Sequence, residues 1–118
     1  MNYMSGVKAI NDNNFQDEVM YNDGPVLIQF WAEWCGPCRM LSPIVEKLSE
    51  EEAFSHIKFC KVNVDENQQT AAMFNVSSIP LLAIVKQDPE TKEFEAHTFL
   101  GFHPIEEVRD FLTSVAGS

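Results

Sequence analysis

The chain has 118 residues, 45% of them apolar and 22% charged, a composition that fits one soluble globular domain spanning 1–118 with its own core. Its 18 acids against 8 bases give a net charge of −10, which argues against nucleic acid as a partner, because phosphates need clusters of Lys and Arg. No apolar stretch is long enough to cross a bilayer, and the opening MNYMSGVKAIND lacks the basic and apolar blocks of an export signal.

Taken in chain order, the first expected element is a short strand around Val7 to Ile10. NDNNFQDEVM (Asn11 to Met20) then puts Phe15, Val19 and Met20 on one helical face, with Asp12 as N-cap and NDGP (Asn22 to Pro25) as a stop. VLIQFW (Val26 to Trp31) is apolar on both sides, apart from Gln29, and reads as a covered central strand. From Cys35 onward Met40, Leu41, Ile44, Val45 and Leu48 recur at helical spacing to about Glu50. Pro43 lies inside that run and is expected to kink it, because proline removes a backbone donor.

IKFCKVNV (Ile57 to Val64) is the next strand, DENQQTAAMFN (Asp65 to Asn75) a short helix, and LLAIVK (Leu81 to Lys86) a second buried strand. QDPETK turns the chain into EFEAHTFL (Glu93 to Leu100), whose alternation suits a half-exposed strand. Pro104 opens a last helix with Ile105, Val108, Phe111, Leu112 and Val115 on one face. Strand–helix–strand in the first half implies a parallel pair with a crossover, and the late hairpin adds antiparallel strands. The result is an α/β fold: a mixed sheet of about five strands with about four helices on its two faces.

Three cysteines with one close pair do not form a secreted disulfide framework. They suggest a reactive pair in a reducing compartment, the cytoplasm, and one spare thiol. Cys35 falls where a central strand ends and a helix begins, the usual place for a site in an open α/β sheet. Unpaired N–H groups and a partial positive charge there favour the thiolate, which is the nucleophilic form. Cys38, three residues on, points to the same side once Pro37 starts the helix, so the pair is close to disulfide geometry. Cys35 is then the outer, attacking sulfur and Cys38 the inner, resolving one. A C-x-x-C is also half of a zinc or iron–sulfur site, but a closed zinc site needs four ligands. Cys60, His56, His97 and His103 are not spaced as partners, so no metal is expected. Gly36 and Pro37 argue against burial of both thiols, and Cys60, mid-strand, reads as an inert core residue.

FWAEWCGPCRM (Phe30 to Met40), SSIP (Ser77 to Pro80) and Gly101 together resemble the thioredoxin family, and the order of elements matches its fold along nearly the whole chain. The resemblance implies a protein dithiol–disulfide oxidoreductase that acts as a reductant, with Cys35 and Cys38 catalytic. It implies a cis bond before Pro80, which lies against the disulfide, and an Ile79 backbone that pairs with the client as an added strand. Trp34, Gly36, Pro37 and Gly101 match the flat apolar rim where clients dock, while Trp31 suits a core role. Partners implied are disulfide-containing client proteins and a thioredoxin reductase; the chain is expected to be a monomer with no bound cofactor, since it has no nucleotide- or flavin-binding loop.

The chain departs from the family pattern at Gln29, where the family has a buried aspartate that takes the proton of the resolving cysteine. An amide cannot be a general base, although it can orient a thiol or a water. Gln29 is expected to bond to backbone, and Lys61, which matches the usual partner of that aspartate, to reach solvent. Leu81 stands where threonine is common, and KQDPETKEF lacks the usual turn glycine. Glu33 and Arg39, flanking the motif, read as solvated charges. Two rival readings are an oxidase or isomerase on the same fold, and a partner subunit whose thiols are incidental.

Overall fold

The computed structural model describes residues 6–117. Five strands, β1 (Val7–Ala9), β2 (Val26–Trp31), β3 (Lys58–Asn63), β4 (Leu81–Gln87) and β5 (Phe94–Leu100), form one sheet in the order β1-β3-β2-β4-β5. β3 runs parallel to both β1 and β2, whereas β4 is antiparallel to β2 and β5 to β4. The helices are α1 (Gly36–Ser49), α2 (Gln68–Met73) and α3 (Ile105–Ala116), with a π-helical turn at Gln16–Met20. α1 is continuous through Pro43.

β2 is apolar on both sides because both sides are covered. Val26, Ile28 and Phe30 join Cys60, Val62, Ala83 and Val85 beneath Phe15 and Val19, with Phe74 closing that layer. Phe74 meets Phe15 edge-on at 5.8 Å and Phe30 at 5.2 Å between ring centroids. On the opposite side Leu27, Phe59, Leu82 and Ile84 pack under Leu41, Val45 and Leu48 of α1 and Val108 and Leu112 of α3. Alternation along β2 therefore assigns Gln29, two residues from Leu27, to the α1 side. β5 is more exposed than its alternation suggests. It is an edge strand, and only Phe99 is half-buried, stacking on Phe111 of α3 at 4.9 Å.

The first helix differs from expectation. Helical structure begins at Phe15 rather than Asn11 and runs as a π-helical turn over Gln16–Met20. Asn11 and Asn14 side chains accept backbone N–H bonds across this segment, Asn11 from Asn13 and Asn14, and Asn14 from Asn11, and so stabilise turns instead of helix. Asp12 does not cap this turn either. Its carboxylate accepts from the Thr70 hydroxyl (2.6 Å), the Thr70 N–H (2.8 Å) and the Gln69 N–H (3.3 Å), and thereby caps α2 from across the fold.

Candidate functional site

β2 delivers the chain to the C-terminal end of the sheet, where Ala32 to Trp34 turn it into α1. Cys35 is the N-cap of that helix, in an extended conformation, and Pro37 sits in its first turn, where its missing N–H costs nothing. The Cys38 N–H donates to Cys35 Sγ at 3.2 Å, so the sulfur does what a serine or aspartate oxygen does at an ordinary helix start. Cys35 and Cys38 form a disulfide with Cα atoms 5.3 Å apart.

Both sulfurs are more enclosed than expected from the Gly–Pro between them: Cys35 is 4% exposed and Cys38 fully buried. Gly36 and Pro37 are exposed, but Ala32, Trp31, Val64 and Ile79 pack around the two cysteines. Cys35 retains the outer position and Cys38 the inner.

Ile79–Pro80 is a cis peptide. Ile79 packs against the disulfide cluster, and the buried Pro80 accepts the Gly101 N–H through its carbonyl at 2.8 Å. Gly101 has φ of +91°, the left-handed region that side chains disfavour, which is why a glycine suits this corner beside Pro80. Trp34 is 69% exposed, and its indole N–H donates to Asp65 Oδ2 at 2.8 Å, which pins the ring over the end of β3. A groove of about 360 Å³ lies beside it, lined by Trp34, Val64, Val76, Ser77, Ser78 and Ile79. The structure thus brings Trp34, Gly36, Pro37, Ile79, Pro80 and Gly101 to one end of the sheet with the cysteines.

Gln29 is 1% exposed and lies beneath Cys38. Its Nε2 donates to the Cys38 carbonyl at 3.3 Å, and also to Ser42 Oγ at 3.1 Å. Ser42 Oγ in turn donates to the same carbonyl at 3.1 Å. The backbone bond matches the sequence expectation, while Ser42 was not singled out. The available signal was its position four residues past Cys38, which sets the two on one helix face. Asp65 carried no such signal, because it reaches Trp34 only through the parallel pairing of β2 and β3.

Lys61 is in register with Gln29 on β3, but its ammonium lies 5.5 Å from the Trp31 ring centroid, a cation–π contact. Among the described residues it forms no ion pair. Trp31 is half-buried between this cation and the disulfide cluster, so it is a wall of the site more than a core residue. Glu33 and Arg39 are exposed. Cys60 is buried in β3, and burial pushes its thiol up to about 11, which keeps it protonated and unreactive. Among the described residues no cluster of three or more His, Cys, Asp or Glu is placed to hold a metal ion, and no helix is long and apolar enough to cross a membrane.

The family model described as Thioredoxin matches residues 6–112. The thioredoxin of Haemophilus influenzae is 48% identical over 83 residues, which are 70% of this chain and 77% of that protein. Thioredoxin 1 of Nostoc is 46% identical over the same shares of each chain. The thioredoxin of Listeria monocytogenes is 42% identical over 106 residues, 90% of this chain and 95% of its own. The five-stranded mixed sheet and the disulfide at the start of α1 agree with that match. The chain belongs to the thioredoxin family and, through its Cys35–Cys38 pair, is a dithiol–disulfide oxidoreductase.

Proposed function

We propose that the chain is a reductant of protein disulfides, working in the cytoplasm as a monomer, with residues 1–118 forming a single domain. The observation that carries the exchange chemistry is the Cys38 N–H donated to Cys35 Sγ at the start of α1, with Cys38 buried behind it, and the reducing direction rests on the likeness of the Gly36–Pro37 dipeptide to the family pattern. A donor and a helix N-terminus aimed at one sulfur favour its thiolate. The Cys35 thiolate attacks a client disulfide, forming a mixed disulfide and releasing one client thiolate. The Cys38 thiolate then attacks Cys35 Sγ, closing the Cys35–Cys38 bond and releasing the second client thiolate, which takes up a proton. Two electrons pass from the chain to the client.

Trp34, Gly36, Pro37, Ile79, Pro80 and Gly101 are the docking rim, with the Ile79 backbone pairing with an extended client segment. Support for this comes from the exposure of Trp34 and the groove between it and Ile79. Clients are disulfide-containing proteins, and a thioredoxin reductase returns the electrons, so the chain itself serves as an electron carrier without a resident cofactor. The test is trapping. Mixed with an oxidised protein substrate, Cys38→Ser is expected to accumulate a covalent mixed disulfide visible by mass spectrometry, and Cys35→Ser little. Equal trapping by the two variants would remove the assigned roles.

A further inference from the structure

One peptide unit beside Pro80 is held from both sides. The Leu100–Gly101 bond is trans, so its C=O and N–H point in opposite directions. The N–H donates to the Pro80 carbonyl at 2.8 Å, which closes the β4–β5 ladder just past its last paired residues, Leu81 and Leu100. The C=O points away from β4, at the free edge of the sheet, and accepts from His103 Nε2 at 2.9 Å. A carbonyl only accepts, so Nε2 carries the hydrogen of this contact. The other ring nitrogen, Nδ1, meets Glu107 Oε1 at 2.8 Å. A ring with both hydrogens meets both acceptors, and a neutral ring keeps the Leu100 contact with its hydrogen on Nε2. The imidazole also lies flat on Phe99, with 3.7 Å between centroids and planes 10° apart. Phe99 stacks in turn on Phe111, so the ring is anchored to α3 rather than to the corner it holds.

From this arrangement we infer that His103 is a positioning residue for client docking: it clamps the Leu100–Gly101 peptide from the edge side, which keeps the Gly101 N–H on the Pro80 carbonyl. The inference rests on the reading of Ile79, Pro80 and Gly101 as part of the docking rim. Three features of the corner call for a clamp. The peptide is the last rung of an edge strand, and terminal rungs are the first to open. Gly101 follows at φ +91°, and ordering a glycine costs more backbone entropy than ordering any other residue. Leu100 and Phe102, on either side of it, are 58% and 39% exposed, so packing does little to hold the turn. Hydrogen bonds at the two ends of one peptide polarise each other, so the His103 bond strengthens the one from Gly101 to Pro80. A rim already in shape has less to order when an extended client segment pairs with the Ile79 backbone. His103 bonds only to Leu100 and Glu107 among the described residues, so the thiol chemistry itself does not depend on it.

The test has two readouts on the full chain. Amide hydrogen exchange followed by NMR reports the Gly101 N–H in the protein alone. Reduction of insulin and of a small symmetrical nitrobenzoate disulfide by the reduced chain reports docking and thiol chemistry separately. The amide nitrogen of asparagine overlies Nδ1 of histidine, and that of glutamine overlies Nε2. His103→Asn therefore keeps the donor toward Glu107 alone, and His103→Gln the donor toward Leu100 alone. Both lose the stacking on Phe99, so comparing them isolates the Leu100 contact. His103→Asn should speed Gly101 exchange and slow insulin reduction, each by up to about fivefold, the size of one hydrogen bond. Its rate with the small disulfide should stay at the parent value. His103→Gln should bring both changed readouts back to the parent. The inference is overturned by unchanged Gly101 exchange in His103→Asn, by faster exchange with insulin reduction unchanged, by an equal loss on both disulfides, or by no difference between the two variants. Trp34→Ala tells this failure from that of the rim: it should slow insulin reduction whatever His103 does. If it does not, the rim reading falls and takes the role of His103 in docking with it.

Discussion

The starts of α1 and α2 meet the same need by opposite means. Each helix opens with N–H groups that have no partner within the helix. α1 takes its acceptor from its own sequence, the Sγ of Cys35, three residues before the N–H it caps. α2 begins after Asn67, whose side chain makes no cap. Asn67 instead accepts from the Asp12 N–H and donates to the Asn63 carbonyl, and the Asp12 carboxylate reaches back to Gln69 and Thr70. The local cap can change chemistry, from disulfide to thiolate, without releasing any other part of the chain. The remote cap has no such freedom, because it is also the tie between the N-terminal segment and the far end of β3. The helix that reacts is capped from within, and the helix that braces is capped from outside.

The largest expected effects separate the chemical role of Cys35 from its role as a cap. Cys35→Ala and Cys35→Ser should both abolish turnover of a protein disulfide, because neither side chain can form the mixed disulfide. They should differ in stability. Serine keeps an acceptor for the Cys38 N–H and alanine does not, so Cys35→Ala should be less stable than Cys35→Ser by about 1 kcal/mol. Denaturant melts of the two variants measure this directly. Equal midpoints would mean that the sulfur at α1 is a nucleophile only, and the likeness to α2 would fail.

Gln29 tests whether the α1 end tolerates a charge as the α2 end does. Gln29→Asp replaces two donated hydrogens with a group that only accepts, next to a carbonyl that also only accepts. Burial disfavours the charged form and raises the acid's pKa in the folded state. The unfolded chain then ionises first, at about pH 3.9, so the stability of the variant should fall as pH rises from there through the folded value. Resolution by Cys38 should accelerate near neutral pH, because a carboxylate can take its proton. General-base effects reach about 10²–10⁴-fold, and the low end is expected where water already serves. Melts at pH 4 and pH 7, with disulfide exchange followed alongside, check both parts. If neither rate nor pH-dependent stability changes, the side chain beneath Cys38 has no part in proton handling.

The contrast between the two helix starts also explains what could be read from the sequence. Trp–Cys–Gly–Pro–Cys is a local pattern, so the helix start, the thiol pair and the inner position of Cys38 were legible. So was the packing of β2, since an apolar run covered on both sides leaves its mark within six residues. Gln29 could be placed near the cysteines through the family resemblance, which puts a buried aspartate at its position. Asp12 was misread as a local cap, because its true partners are 57 and 58 residues away and only the tertiary fold brings them together. Asp65 was missed for the same reason. The burial of both cysteines was misjudged because Val64 and Ile79, which pack against them, come from the end of β3 and the loop before β4. Composition around the motif, two small or rigid residues between the thiols, carried no information about those walls.

The smallest expected effect belongs to the remote cap. The Asp12 carboxyl is held below its ordinary value, first because the Thr70 hydroxyl donates to it, and then because the Thr70 and Gln69 N–H groups do. A carboxylate whose folded pKa is depressed contributes stability above its unfolded pKa, about 3.9, and loses it as pH falls through the folded value. Asp12→Asn keeps the shape and one acceptor oxygen but cannot ionise. It should lower the denaturant midpoint at pH 7, and the gap to the parent protein should narrow as pH drops below about 4. The parent's own acid transition is not enough to read this, because Glu18 is held to about 2 by Lys58 and Lys8 and titrates in the same range. The difference between parent and variant cancels that contribution. Turnover should stay unchanged, since no atom of Asp12 is bonded to the disulfide, the Ile79–Pro80 turn or Trp34. A gap that stays constant from pH 7 to pH 3 would show that the charge of Asp12 does nothing for α2 beyond the shape of its side chain.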